Sequence, residues 1–201
     1  MIQIIVGGIL YLLQKIKVKQ VIIGKQFEES ENYKKFIEII KDKKIKVRVV
    51  QLNDKINIEK NVYFNVIWPN EKDVVTENTL NNNSLVLKLY YKNFTALFTG
   101  DIEEIAEQKI LKNVKNEALN STLIKIAHHG SKTSSTEEFI EKVNPKIALI
   151  GVGENNKFGH PSEQTIELLQ SINCKIYRTD KMGEIIVQIN KNSKYKIRTK
   201  I

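Results

Sequence analysis

Hydrophobic residues follow two patterns along the chain: a period of about 3.6, typical of helices, and short β-branched runs, typical of buried strands. The clearest helical stripe is formed by Tyr33, Phe36, Ile37 and Ile40. It predicts an amphipathic helix with one face against a sheet. Up to residue 68, these patterns predict helices over 7–17 and 30–44 and strands over 19–24, 45–52 and 62–68.

The second half of the chain is more regular, because a strand precedes a helix three times. The predicted pairs are 94–99 with 102–113, 122–127 with 135–143, and 146–151 with 162–172. A strand over 84–91 reaches the strand 94–99 through Lys92 and Asn93, which predicts a hairpin. Further strands are predicted over 175–178 and 184–189, with an edge strand over 195–200.

The chain shows neither an internal repeat nor a linker, so the strand and helix pattern predicts one α/β domain over residues 1–201. Its 41% hydrophobic content is enough to bury a core. Residues 69–83 are polar and without periodicity, which predicts a long functional or mobile loop.

The net charge of +9 favours a polyanionic partner such as nucleic acid. Much of the lysine excess alternates with Ile and Asn, as at Lys41, Lys43, Lys44 and Lys46. That alternation also fits a solvated basic face, so both interpretations stay open.

One cysteine, Cys174, cannot form an internal disulfide, which indicates a reducing compartment. The most apolar stretch, Met1 to Leu13, is shorter than the roughly 20 residues that a membrane-spanning helix needs. It also lacks the basic start and small-residue cleavage site of a signal peptide. We therefore expect no membrane span and, by default, a cytoplasmic location.

Candidate metal ligands follow the regular strands. His128, His129 and His160 each lie in a loop between a predicted strand and a helix, and Asp101 has the same kind of position. Ligands bind where such loops gather at one edge of an α/β sheet. Imidazole and carboxylate groups suit zinc or another divalent metal. Alternatively, Asp101 caps the following helix and the histidines are loop or turn residues.

The segment 128–135 carries hydroxyl groups, one ammonium group and a predicted helix N-terminus, all of which suit an oxyanion. Ser131, Lys132 and Ser135 are therefore candidate substrate contacts. Ser135 with Glu138 also has the spacing of a capping box. Capping and turn formation are the alternative explanation of these polar residues.

Several ordered motifs between residues 81 and 187 carry a resemblance to a known family. They are Asn83-Ser84-Leu85-Val86-Leu87, Thr99-Gly100-Asp101, His128-His129-Gly130-Ser131-Lys132-Thr133-Ser134-Ser135, Gly159-His160-Pro161-Ser162, and Arg178-Thr179-Asp180 with Gly183. Together they resemble the metallo-β-lactamase-fold hydrolases, and specifically the C-terminal hydrolase-like domain of ComEC-type competence proteins. The resemblance implies an αββα sandwich with a metal site at one edge, between the sheets.

The resemblance also implies roles for individual residues. Asp101 resembles the carboxylate that bridges the metals, and either His128 or His129 resembles the next histidine ligand. His160 resembles a further active-site histidine, as a metal ligand or as a substrate contact. Ser131 and Lys132 would lie beside the scissile group.

The N-terminus departs from the family pattern. Family members carry a His-x-His-x-Asp-His motif before a segment that Val6 to Leu13 resembles, and Ile4 and Ile5 stand where its last Asp and His belong. We therefore expect an N-terminally truncated member that holds at most one weakly bound divalent ion. Because strands that cover this region in the family are absent, we also expect an exposed apolar surface over Met1 to Ile9 that promotes self-association.

The motifs and the incomplete set of metal ligands predict two alternative functions. The first is metal-dependent hydrolysis of a phosphodiester, with DNA as the substrate class and DNA uptake as the context, and we expect little or no such hydrolysis from this chain. The second is a catalytically impaired domain that binds nucleic acid or protein.

Overall fold

A computed structural model describes residues 2–25 and 30–200, with side chains from residue 8 onward. The described chain divides into two compact units, residues 1–50 and residues 51–201. The predicted α/β class is confirmed, because helices and strands occur together in both units. The prediction of one domain over 1–201 stays a prediction.

The first unit contains two helices and two strands in alternation. They are α1 (Ile2–Lys15), β1 (Gln20–Gly24), α2 (Glu31–Asp42) and β2 (Lys46–Val50). The two strands pair in parallel, with Gln20 opposite Lys46. Both helices contribute to a small core, formed by Leu10, Leu13, Phe36, Ile40 and Ile45.

The predicted elements of the first unit are confirmed with shifted ends. The helix predicted from residue 7 begins at Ile2. The backbone of Ile4 and Ile5 is thus helical, while their side chains lie outside the described residues. Most side chains of the apolar surface predicted over Met1 to Ile9 also lie outside the described residues. Within it, Ile9 is 42% exposed, and self-association through this segment stays a prediction.

The second unit is built on one sheet of seven strands. In chain order these are β3 (Lys55–Glu59), β4 (Val62–Trp68), β5 (Val86–Tyr91), β6 (Phe94–Phe98), β7 (Leu123–Lys125), β8 (Ile147–Ile150) and β9 (Lys175–Arg178). Their spatial order is the same as their chain order. The strands from β3 to β6 are antiparallel, and those from β6 to β9 are parallel. The parallel half therefore has loops at one common edge.

Helices connect the strands of the parallel half. They are α4 (Glu104–Asn113), α5 (Asn116–Leu119), α6 (Glu137–Val143) and α7 (Glu163–Ser171). Their apolar side chains join the main core with the strands, as Ile110, Phe139 and Leu169 do with Leu97 and Ile124. A second cluster joins β6, β7 and β8 to the C-terminal hairpin of β10 (Glu184–Ile189) and β11 (Tyr195–Lys200).

Three features differ from the predicted pattern. Sequence patterns missed strand β3 because it is a short, largely exposed strand at the sheet edge, with polar residues on both sides of each isoleucine. The predicted loop 69–83 contains one short helix, α3 (Thr79–Asn82). The segment 195–200 pairs with β10 in a separate two-stranded sheet.

Within residues 2–25 and 30–200, none of the helices combines the length and apolar character needed to cross a bilayer.

Candidate functional site

The two adjacent histidines follow β7 in a tight turn over Ala127–Gly130. Both have left-handed backbones, with φ of 44° at His128 and 57° at His129. This conformation costs a non-glycine residue about 1–2 kcal/mol, so neighbouring contacts must hold the turn in place. One such contact is the hydrogen bond from the His128 N–H to the Gly100 carbonyl, at 3.1 Å.

The ring of His129 is oriented by the loop after β8. Its Nδ1 atom lies 2.5 Å from the carbonyl oxygen of Gly151. A carbonyl can only accept, so Nδ1 carries the proton and the neutral ring has its lone pair on Nε2. That Nε2 is buried without a hydrogen-bond partner and lies 3.7 Å from Oδ1 of Asp101. His129 is therefore the histidine of the pair that faces Asp101.

His128 faces a different carboxylate. Its Nδ1 lies 3.4 Å from Oε1 of Glu103 and has no hydrogen-bond partner. Glu103 is itself held by Thr133, whose hydroxyl donates to Oε1, and by Asn78 and Asn82, whose amides donate to Oε2. Sequence reasoning missed Glu103, although an acidic residue two positions after Asp101 was a visible signal.

His160 joins the same cluster from the loop before α7. Its ring centroid lies 5.8 Å from that of His128. The side chain of Asn156 fixes the backbone, since it accepts from the His160 N–H and donates to the His160 carbonyl. Burial lowers the pKa of His160, the neighbouring His128 and His129 lower it further, and the negative charge of Asp101 opposes the shift.

Gly130 allows this loop to approach the histidine turn. Its φ is +84°, and a Cβ atom at this position would lie 2.6 Å from Cβ of Pro161. The Ser162 N–H donates to the Gly130 carbonyl at 2.8 Å. The four predicted ligands thus lie in a chain of neighbouring pairs: Asp101 beside His129, His129 beside His128, and His128 beside His160.

Lys125 is a partly buried lysine near Asp101 that sequence reasoning missed. It ends β7, and its Nζ donates to the Ile126 carbonyl at 2.8 Å. Burial lowers the pKa of Lys125, while the negative charge of Asp101 opposes that shift. A lysine inside the otherwise apolar run that leads to Ala127 was the available signal.

Glu107 organises the loop that follows the histidines. This buried carboxylate accepts the N–H of Ser135 at 2.6 Å and both the N–H and hydroxyl of Thr136 at 2.8 Å. Burial raises the pKa of Glu107, and these hydrogen bonds oppose the shift. Sequence reasoning missed this residue, because glutamates on exposed and buried helix faces look alike in sequence.

The predicted capping box of Ser135 and Glu138 is wrong. Helix α6 begins at Glu137, and Thr136 occupies the cap position. Ser135 has a φ of 63° and a buried hydroxyl without a hydrogen-bond partner. The sequence suggested that N–H groups at this helix start could bind a substrate oxyanion. The N–H groups of Ser135 and Thr136 instead donate to Glu107 and are not open to one.

The remaining predicted residues have mixed surroundings. Ser131 is buried, with its hydroxyl 3.0 Å from that of Thr133, whereas Lys132 is exposed. Their roles as substrate contacts stay predictions, as does that of Ser135. The alternative role of Asp101 as a helix cap is wrong, because Glu103 occupies the cap position of α4.

Thr179 holds the loop that orients His129. Its hydroxyl accepts from the Val152 N–H and donates to the Val152 carbonyl, both at 2.7 Å. The residues before and after Thr179 form an ion pair, in which the Arg178 guanidinium donates to both carboxylate oxygens of Asp180. This motif therefore fixes the backbone next to Gly151.

Asp101 and His129 are the pair that best fits a divalent metal. The orphaned Nε2 of His129, with its proton fixed on Nδ1 by a carbonyl, is the arrangement common in metal-ligating histidines. Among the residues that the structure describes, no three His, Cys, Asp or Glu side chains form a group that could hold a metal ion. A zinc site here stays a prediction.

The chain is similar to proteins whose names refer to competence. The chain is 33% identical over 180 residues to ComE operon protein 3 of Bacillus subtilis, covering 90% of this chain and 22% of that protein. It is also 28% identical over 124 residues to competence protein ComA of Neisseria gonorrhoeae, covering 62% of this chain and 17% of that protein.

Recombination protein 2 of Haemophilus influenzae is 28% identical over 126 residues, covering 63% of this chain and 15% of that protein. The chain thus has competence-related homologues, and it spans about a fifth or less of their length. No family model matches the chain.

Proposed function

We propose that this chain is a competence-related domain that acts on DNA, and that its site around Asp101 and His129 carries out slow metal-dependent phosphodiester hydrolysis. The observation that carries the proposal is the buried, unpartnered Nε2 of His129 beside the Asp101 carboxylate. A solvent-facing loop histidine would not need a tautomer that is fixed by a carbonyl acceptor.

The proposed fold is that of the metallo-β-lactamase hydrolases. The mixed sheet with helices on one face supports this assignment, since an αββα sandwich contains such a half. The C-terminal hairpin of β10 and β11 supports it further, because it packs on the opposite face of the sheet.

In this proposal Asp101 and His129 hold one divalent ion, either zinc or another divalent metal. Such an ion, when bound, lowers the pKa of a water molecule toward about 7 and so supplies a nucleophile. The Gly151 carbonyl keeps the proton of His129 on Nδ1. Burial lowers the pKa of His160, which favours the neutral form of its ring.

An aromatic side chain borders the proposed site. Phe158 is 64% exposed, and its ring stacks on that of His160 with centroids 6.0 Å apart. Exposed aromatic faces provide stacking platforms for unpaired bases. This position supports nucleic acid as the substrate class.

The test is cleavage of a fluorescently labelled DNA duplex with added Zn²⁺ or Mn²⁺. We expect slow cleavage that EDTA abolishes and that Asp101→Asn reduces at least about tenfold, as loss of a metal-ligating carboxylate should. The matched control Asp42→Asn changes an exposed carboxylate in α2 and should cleave like wild type. Cleavage that survives EDTA or Asp101→Asn would refute the proposal.

A second candidate is a domain that binds DNA without cutting it. It is favoured by the lack, among the described residues, of a third ligand beside Asp101 and His129. DNA binding that EDTA does not affect, without any cleavage by the wild-type chain, would favour this function over hydrolysis.

A further inference from the structure

A basic cavity lies within the first unit, far from the histidines in sequence. Its volume is about 890 Å³, and residues 14–20 and 43–46 line it. Six of its lining residues are lysines: Lys15, Lys17, Lys19, Lys43, Lys44 and Lys46. No acidic residue lines it in the part of the chain that the structure describes. We call this surface the lysine cavity.

The fold of the first unit builds the cavity from two connections. One leads from the end of α1 into β1, and the other leads from the end of α2 into β2. The connections run side by side because the two strands are parallel neighbours. Lys43 ties them together, since its Nζ donates to the carbonyls of Leu13 at 2.7 Å and Gln14 at 3.0 Å.

Helix stabilisation explains only part of this lysine cluster. Lysines near helix C-termini interact favourably with the helix dipole, and Lys15 and Lys43 lie where they can do so. The other four lie beyond the helix ends: Lys17, Lys19, Lys44 and Lys46. All four are exposed, and none pairs with a carboxylate of residues 2–25 or 30–200.

Most of the net charge of the chain lies in the segment that contains this cavity. Residues 1–50 contain 11 Lys and Arg against five Asp and Glu, which is +6 of the net +9. Within the cavity, Lys44 has a left-handed backbone with φ of 51°, a conformation that Gly or Asn adopts more readily. Lys44 thus stands at a position that a lysine adopts less readily, within a cluster of like charges.

We propose that the lysine cavity binds the phosphate backbone of DNA, as a contact separate from the chemistry at His129. This inference rests on the proposed function only in taking DNA as the partner. Ammonium groups neutralise phosphates and release counterions, which makes binding salt-dependent and independent of sequence. No aromatic residue of the described chain lines the cavity, so base stacking contributes nothing there.

The experiment measures binding of the full chain to a short labelled DNA duplex by fluorescence anisotropy across a salt series. The cavity variant combines Lys17→Gln, Lys19→Gln, Lys44→Asn and Lys46→Gln. The control variant combines Lys175→Gln, Lys194→Gln, Lys196→Gln and Lys200→Gln, four exposed lysines of the second unit. Both variants have the same net charge, and circular dichroism verifies that each is folded.

We expect the cavity variant to bind DNA at least about tenfold more weakly at low salt, with the slope of log affinity against log salt smaller by about 3. The control variant should lose clearly less affinity for DNA. Equal losses in the two variants, or wild-type affinity in the cavity variant, would overturn the proposal. So would cavity-dependent binding of phosphatidylglycerol vesicles by a chain that does not bind DNA.

The outcome for the cavity can be separated from that for the histidine site. If Asp101→Asn abolishes cleavage while the cavity variant binds DNA normally, the cavity proposal fails and the proposed hydrolysis stands. If the wild-type chain never cleaves DNA but the cavity variant alone loses binding, hydrolysis fails and the cavity proposal stands.

Discussion

The Nδ1 atom of His129 lies 2.5 Å from the carbonyl oxygen of Gly151, and this contact directs the opposite ring nitrogen toward Asp101. The loops after the adjacent parallel strands β7 and β8 together therefore fix the orientation of the His129 ring. Thr179 reinforces the arrangement by holding Val152, the residue after Gly151.

The His129 contact predicts a tautomer that can be measured directly. In nitrogen-15 spectra of the imidazole rings, the neutral form of His129 should carry its proton on Nδ1. The Gly151 carbonyl requires this, because it can only accept a hydrogen bond. A neutral His129 with its proton on Nε2 would contradict the proposed orientation.

Glu107→Gln should destabilise the fold, because the amide would present N–H groups to the donors of Ser135 and Thr136. We expect a loss of about 2 kcal/mol in the free energy of unfolding, measured with urea. Glu141→Gln, at an exposed position on α6, is the control and should change little. Equal stability of the two variants would mean that Glu107 does not hold this loop.

Gly130→Ala should also destabilise the protein, by about 2 kcal/mol, because φ is +84° and the new Cβ would collide with Pro161. Gly153→Ala is the matched control, since a Cβ there meets nothing within 4 Å. Thermal unfolding of both variants checks the prediction. A Gly130→Ala protein as stable as the control would contradict the close approach of the His160 loop.

Lys88 predicts a dependence of stability on pH. This buried lysine of β5 donates to the carbonyls of Ala118 and Asn120, and burial lowers its pKa from 10.5 to about 8. Between these values the unfolded chain binds more protons at this residue than the folded chain does. Its contribution to the free energy of unfolding therefore rises with pH from about 8 to 10.5.

Comparison with Lys88→Met isolates this contribution from other titrating groups. The difference in free energy of unfolding, wild type minus variant, should increase across that pH range. A difference that stays constant from pH 8 to pH 10.5 would show that the pKa of Lys88 is not lowered.

The regular elements could be predicted because their signals are local. Strands 175–178 and 184–189 begin and end as expected, since β-branched or apolar runs between polar turns have few other structures open to them. The four metal-ligand candidates could be singled out because His and Asp stand out after strands, and their binding of a metal stays a prediction. The choice between His128 and His129 could not be made, because it depends on left-handed backbones within the turn.

Other parts of the site have no distinctive sequence signal. The group that orients His129 is a backbone carbonyl, which every residue has, so Gly151 could not be singled out. Glu107 acts across 28 residues on Ser135, and only the packing of α4 against the loop brings the two together. The misassigned capping box shows the same limit, because the local Ser135 and Glu138 spacing gave way to this longer-range partner.

Calorimetric titration with Zn²⁺ tests most directly whether Asp101 and His129 form a metal-binding pair. The wild-type chain should bind at most one ion weakly, and both Asp101→Asn and His129→Gln should weaken binding by at least about tenfold. Asp42→Asn should bind zinc like wild type. Zinc binding that survives both substitutions, or that does not occur in the wild-type chain, would contradict the account.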